Sequence, residues 1–396
     1  MSMRRFAADY QEFFRQPGVP GLMAVALLTR MPVGMIGLAL LLHLRESLGS
    51  FAVAGSIAGV YFVALAIGGP IQGRIMDRSG PRQVVWVTSA VHPIALVALL
   101  LLADARAPLA AIAAAAVVAG TFATPKMVLI RTLWRHRFAD DENRRRAFSL
   151  DAVLVELNFT LGPAIVAAVV AASGARTAFA TAIGVSIASI ALFLASPVLR
   201  HFPRADREER HLLGPLREGQ LLAVFAATLG FTIAVGLVDV GYPAYAASVG
   251  ATAFGGVLLS LNAFGSAVGG ALFGGLRSRL SVERQFVLVV GAMALPLAAH
   301  WFVDNLTAFG VAAFVTGLTI APAIACQSVL VSRLAPAKYA TEAFTWSSTS
   351  IVAGLGAGMA LGGWLSEAAG AKAPFVVGAL LAATTSLAFL ARLRRA

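Results

Sequence analysis

The chain has 396 residues, 59% of them hydrophobic and 13% charged, with 31 Lys and Arg against 19 Asp and Glu. Soluble domains carry about 25% charged residues, so this composition cannot hide its apolar surface from water and excludes a soluble enzyme. The net charge of +12 would point to nucleic acid in a soluble protein. On so apolar a chain it reads instead as basic loops on one side of a lipid bilayer, and no nucleic-acid partner is expected.

Twelve apolar runs follow in chain order, at 19–43, 51–72, 83–103, 108–131, 148–172, 177–199, 219–246, 253–276, 285–303, 307–331, 341–366 and 373–391. Each is close to the roughly 20 residues a spanning helix needs. The first run exceeds the apolar core of a secretion signal, about 7–15 residues, and is expected to remain as the first span. An even number of spans puts both termini on one side. With the termini cytoplasmic, the cytoplasmic segments hold 25 of the Lys and Arg residues, and the outer loops hold only Arg45, Arg106, Arg176 and Lys372. That asymmetry sets the orientation. The preference for Arg over Lys, 28 to 3, is a compositional sign of a GC-rich bacterial genome, so the expected location is the bacterial cytoplasmic (inner) membrane. Cys326 is the sole cysteine, which excludes an intrachain disulfide and a cysteine metal site. No histidine–carboxylate cluster and no phosphate-binding glycine loop is present, so no metal, no cofactor and no enzymatic activity are expected.

The segment Arg200 to Glu218, with Pro203, Gly214 and Pro215, divides the chain into an N-terminal six-helix half (1–199), a central cytoplasmic loop (200–218) and a C-terminal six-helix half (219–396). The halves look duplicated. Gly49 to Gly55 recurs at Gly250 to Gly256, and Gly68-Gly69 with Gly73 recurs as Gly269-Gly270 with Gly274. Arg82-Gln83, Pro93, Gly120 with Pro125, and Ala147-Phe148-Ser149 recur as Arg284-Gln285, Pro296, Gly317 with Pro322, and Ala343-Phe344-Thr345. Six matches in one order, at offsets of 196 to 203, indicate a parallel repeat of the kind seen in transporters.

The loop between the second and third spans reads Gly73-Arg74-Ile75-Met76-Asp77-Arg78-Ser79-Gly80-Pro81-Arg82. This resembles the signature loop of the major facilitator superfamily, in the position that family places it, and the resemblance extends over all twelve spans. It implies an all-α fold of twelve transmembrane helices in two pseudo-symmetric six-helix bundles. It also implies a conformational latch at Gly73, Asp77, Arg78, Gly80 and Arg82, with Arg131 at the cytoplasmic end of the fourth span as the partner of Asp77. Within the drug:proton antiporter branch the fifth span carries a glycine motif, of which only the hinge pair Gly162-Pro163 survives here. Asn158, Val166 and Ala167 stand at other glycine places of that motif, and Ala116 where that branch has an arginine.

Ionisable residues inside a bilayer are costly and mark function by default. Arg30 lies near the middle of the first span, two residues before Pro32, and reads as a substrate anchor or the partner of a proton-carrying acid. Glu156, near the middle of the fifth span, is the expected proton carrier, with Arg30 opposing it. Asp239, late in the seventh span, is a second protonation site or an outer gate. Lys126, in the fourth span, either faces the substrate path or reaches for the interface. Asp151 is expected at the surface. Asn158 and Asn262 read as contacts between helices, His92 as structural, and Tyr61, Trp301 and Trp346 as cavity walls or interfacial belt residues.

The expected function is therefore secondary active transport of a small organic solute, with proton-coupled export as the leading expectation, by a monomer whose partners are the solute, protons and the lipid bilayer. Proton-coupled uptake, or a non-transporting sensor on the same scaffold, are the alternatives.

Overall fold

The computed structural model describes residues 15, 16, 18–126, 129, 130, 141–196, 214–275, 279–336 and 340–393. It contains helices α1 (Val19–Leu48), α2 (Phe51–Ser79), α3 (Pro81–Asp104) and α4 (Leu109–Thr121). The helical stretch Asp141–Ala195 is interrupted at Gly174, whose φ of 84° is not helical. It therefore comprises α5 (141–173) and α6 (175–195). Then come α7 (Gly219–Ser248), α8 (Phe254–Gly275), α9 (Val282–Ala299), the two pieces α10a (Leu306–Gly317) and α10b (Ile320–Leu334), α11 (Ala340–Ala368) and α12 (Ala373–Leu393). Ten helical stretches are long and apolar enough to cross a membrane, and Leu109–Thr121 is a shorter apolar helix. With Gly174 dividing the longest stretch and the two pieces of α10 taken together, the twelve expected spans are accounted for.

Local chemistry starts and stops these helices. Gly49 ends α1 in the left-handed conformation, and the Ser50 hydroxyl then accepts the Val53 N–H to start α2. Gly80 has φ of 82° and hands the chain to Pro81 at the start of α3, where a missing N–H is harmless. Ser281 and Asn305 cap α9 and α10a by accepting the N–H of Arg284 and Ala308. These devices satisfy donors that lipid could not.

The sequence repeat is a repeat of packing. Gly49 and Gly250, at equivalent places, both have positive φ, as do Gly174 and Gly370. A Cβ on Gly120 of α4 would strike the Tyr61 carbonyl of α2, and one on Gly317 of α10a would strike the Asn262 carbonyl of α8. Likewise Gly68 abuts Thr121 in the first half, and Gly269 abuts Leu318 in the second. Gly34 of α1 meets Asn158 and Gly162 of α5, and Gly236 of α7 meets Leu355 and Gly358 of α11. Small residues let these backbones touch. The apolar core follows the two halves, with Val240, Ala244 and Met359 of the second half joining the first half's cluster. One cluster contains Leu40, Leu99, Ala119 and Phe179, and the other contains Phe231, Phe286, Phe309 and Phe375.

The connections after α1, α3, α5, α7, α9 and α11 gather at one end of the molecule, here the short-turn face; the opposite end is the basic face. Large apolar side chains remain exposed around the girth, among them Ile94, Leu101, Leu295 and Leu380, with Trp86, Trp301 and Trp364 also outward. This is the surface of a multi-pass membrane protein, apolar all round with aromatic residues at the belts.

Candidate functional site

The two bundles meet along α2 with α11 and α5 with α8. Towards the short-turn face they are in backbone contact. Gly55 lies against Met359 and Gly363, Gly59 against Gly356 and Ala360, and Gly256 against Pro163, Ala167 and Leu38. The described contacts between α2 and α11 continue to mid-helix, where Thr349 Oγ1 is 3.4 Å from the Ala66 carbonyl. Beyond that level, towards the basic face, a Cβ on Gly69, Gly73 or Gly274 would meet open space. Val153 and Leu157 of α5 and Phe264 and Leu272 of α8 are exposed there. Among the described residues the close backbone contacts between the halves lie towards the short-turn face, and the path expected between the halves runs from there to the basic face.

Arg30 sits beside this path, deep in α1, and it is 1% exposed. Its guanidinium donates to Asp151 Oδ1 of α5 at 2.5 Å, and Asp151 is equally buried. The expectation that Asp151 is a surface residue is thus corrected. Asp151 lies in the first half of α5, and the close approach of α1 and α5 at Gly34 and Gly162 carries its carboxylate onto Arg30. A charge pair taken out of lipid and water survives only with this kind of geometry. Glu156 follows five residues later on α5; its side chain lies outside the described residues.

Asp239 is placed two-thirds of the way along α7, partly buried, between Gly236, which packs on α11, and Tyr242. Among the described residues it has no ion-pair partner. Lys126 is not brought to Arg30. It turns into the first bundle, where its ammonium donates to Ser189 Oγ of α6 at 2.6 Å. Gly162 and Pro163 stay within helix α5. Gly162 packs on α1, and the Pro163 carbonyl faces Gly256 of α8.

Of the signature loop, Gly73 lies in the last turns of α2, Ser79 ends it, Gly80 turns the chain, and Arg82 is exposed at the start of α3. The side chains of Asp77 and Arg78, and Arg131 altogether, lie outside the described residues, as does the latch that they would form.

A polar feature that the sequence reading passed over is the break in α4. The helix stops at Thr121 and becomes helical again at Lys126. Pro125 lacks an N–H and cannot continue the ladder. The freed carbonyls are taken by two side chains from neighbouring helices. Gln72 of α2 donates to Thr121 O at 2.6 Å and to Ala123 O at 3.1 Å. His92 of α3 donates from Nδ1 to Ala119 O at 2.8 Å, so its role is structural. The equivalent place in the second half is the junction of α10a and α10b, next to Gly317. There Asn262 donates to Ala313 O at 3.0 Å and lies 3.4 Å from the Tyr242 hydroxyl, a contact between helices as expected. The paired Gly–x4–Pro motif held the signal for both breaks.

Tyr61 is buried in the first bundle, Trp301 is exposed at the short-turn face, and Trp346 lies part-buried in α11. Among the described residues no group of three or more His, Cys, Asp or Glu could hold a metal ion.

A model of the Major Facilitator Superfamily matches residues 22–306 and 222–396. No curated protein sequence matches the chain significantly. Among solved structures, the nucleoside transporter NupG superposes with a TM-score of 0.72 at 16% identity, over 93% of this chain and 97% of that one. The peptide transporter POT in complex with sulfate gives 0.72 at 14% identity, over 96% and 94%. The POT family transporter PepTSo gives 0.69 at 11% identity, over 95% and 97%. At these identities the likeness is one of fold.

Proposed function

The chain belongs to the Major Facilitator Superfamily, and from that premise we propose that it is a secondary active transporter exporting a small organic solute across the bacterial inner membrane in exchange for protons. The observation that carries this reading is the buried Arg30–Asp151 pair on α1 and α5, beside the path that parts the two bundles. A charge pair in that position serves transport if its strength changes as the bundles move. Glu156, on the same helix, supplies the titrating carboxylate. It takes a proton when the path opens to the acidic side and yields it when Arg30 is near, because burial favours the neutral carboxyl and a cation the ionised one.

The distribution of Lys and Arg supports cytoplasmic termini, so the short-turn face is periplasmic and the conformer described here is closed to the outside. The domain units are the bundles 1–199 and 219–396, linked by the loop 200–218. They rock about the glycine contacts of α2 with α11 and α5 with α8. The signature loop, through Asp77 with Arg131, latches the opposite conformer. The protein works as a monomer. An interior of mixed sign, with Arg30 and Asp151 in the first half and Asp239 in the second, supports an amphipathic or zwitterionic solute. The superposing structures include a nucleoside transporter and a peptide transporter, a likeness of fold consistent with a small organic solute.

The test is reconstitution in liposomes with an acidic lumen and a pH-sensitive dye, challenged with amphipathic drugs, amino acids and organic acids. Discharge of the gradient by one compound in the wild type, and not in Glu156→Gln, is the expected result. Solute uptake that leaves the gradient intact would overturn proton coupling. Solute entry driven in the same direction as protons would overturn export. Binding without any transport would favour the sensor alternative.

A further inference from the structure

The first bundle holds a cluster of buried polar side chains carried by α3, α4 and α6. At its centre is Lys126, 8% exposed, just past the break in α4. Its ammonium has three N–H donors. One goes to Ser189 Oγ, and the Ser189 hydroxyl in turn donates to the Ser186 carbonyl at 2.8 Å. No carboxylate among the described residues pairs with Lys126.

Three further hydroxyls in this region make no hydrogen bond: Ser89 on α3, Thr124 in the α4 break and Ser186 on α6. Each is placed by register near Lys126. Ser186 is one turn from Ser189. Ser89 is one turn from His92, whose ring is bonded to α4 at Ala119. Thr124 is two residues from Lys126 itself. Elsewhere in the membrane helices a hydroxyl donates to a carbonyl three or four residues back, as at Thr29, Thr88, Thr228 and Thr316. The orphans therefore depart from the habit of the protein's own helices. A hydroxyl left alone in a buried site is costly, and a lone ammonium there more so.

We propose that this cluster is a binding site for a small monovalent inorganic anion of the chloride type, held by the Lys126 ammonium and the hydroxyls of Ser89, Thr124 and Ser186. Water would satisfy the hydroxyls and leave the charge uncompensated. A negatively charged sphere accepts from the remaining Lys126 N–H groups and from all three hydroxyls at once. Because its ligands all belong to one half and bond to groups of that half, the ion is a resident of the bundle and is not the transported solute, and the inference stands whether or not the export reading does.

The test uses the full chain in detergent, with sodium gluconate replaced stepwise by sodium chloride at constant ionic strength, and thermal unfolding as the readout. The wild type is expected to show a saturable rise in midpoint of about 2–4 °C in chloride, with bromide acting alike. Lys126→Met is expected to unfold at one temperature in both salts. The double variant Ser89→Ala/Ser186→Ala is expected to need several-fold more chloride for half the rise. Identical wild-type midpoints in chloride and gluconate would overturn the site, as would a full chloride response in Lys126→Met. If Lys126→Met does not fold, the double variant decides, and an unchanged half-saturation counts against the proposal.

Discussion

Arg30 and Asp151, 121 residues apart in the chain, form an ion pair with both partners buried. Removing either partner alone breaks a buried ion pair, which typically costs about 3–5 kcal/mol. Arg30→Gln and Asp151→Asn should each lower the unfolding midpoint sharply. The exchange Arg30→Asp/Asp151→Arg should recover part of the loss. The midpoints of the three variants in detergent check this, and singles as stable as the wild type would refute a buried pair.

A surface pair offers the contrast. Lys372 donates to Asp304 at the short-turn face, where Asp304 is almost fully exposed. Water screens such a pair, so Lys372→Ala should cost at most about 1 kcal/mol. The same unfolding assay reads it directly against Asp151→Asn.

Gln72 carries two carbonyls of the α4 break on one amide group. Gln72→Leu fills similar space without a donor and orphans both Thr121 O and Ala123 O. A buried unsatisfied polar group costs about 1–3 kcal/mol, so this variant should unfold earlier than a change at lipid-facing Ile71. Hydrogen exchange at residues 118–126 should rise in Gln72→Leu and stay unchanged elsewhere in α4.

The contact between α2 and α11 depends on glycine. Gly59 lies on the Gly356 carbonyl, and Gly363 lies on Phe51 and Gly55. Gly59→Leu or Gly363→Leu cannot be accommodated without separating the bundles at the short-turn face. A cysteine introduced at Ala360, which lies against Gly59 across the contact, in a Cys326→Ser background should then become reactive to a membrane-impermeant thiol reagent from that face. Labelling equal to that of the unsubstituted glycine background would show that the contact is not what closes the path.

Much of the architecture is readable without coordinates, for a physical reason. Lipid forces every backbone group to find its partner within its own helix, so apolar length alone marks the spans, and the repeated Gly and Pro positions mark where helices must touch or break. Gly49 with Gly250, and Gly120 with Gly317, show this directly: the same letters recur because the same turn and the same close approach recur.

The site was less legible. The sequence placed Arg30 and Glu156 in mid-span and named them as opposing charges, but it put Asp151 at the surface and left Lys126 between the substrate path and the interface. No periodicity signal says which helix a charged residue turns toward, because in a spanning helix both the lipid face and the bundle face are apolar. The tertiary structure decided it. The approach of α1 to α5 at Gly34 and Gly162 set Asp151 on Arg30, and the packing of α4 against α6 turned Lys126 onto Ser189. Composition, hydropathy and repeat determined that this is a twelve-helix membrane transporter fold, since those follow from the solvent the chain must satisfy. Which charges meet was determined only by the distances at which the helices pack.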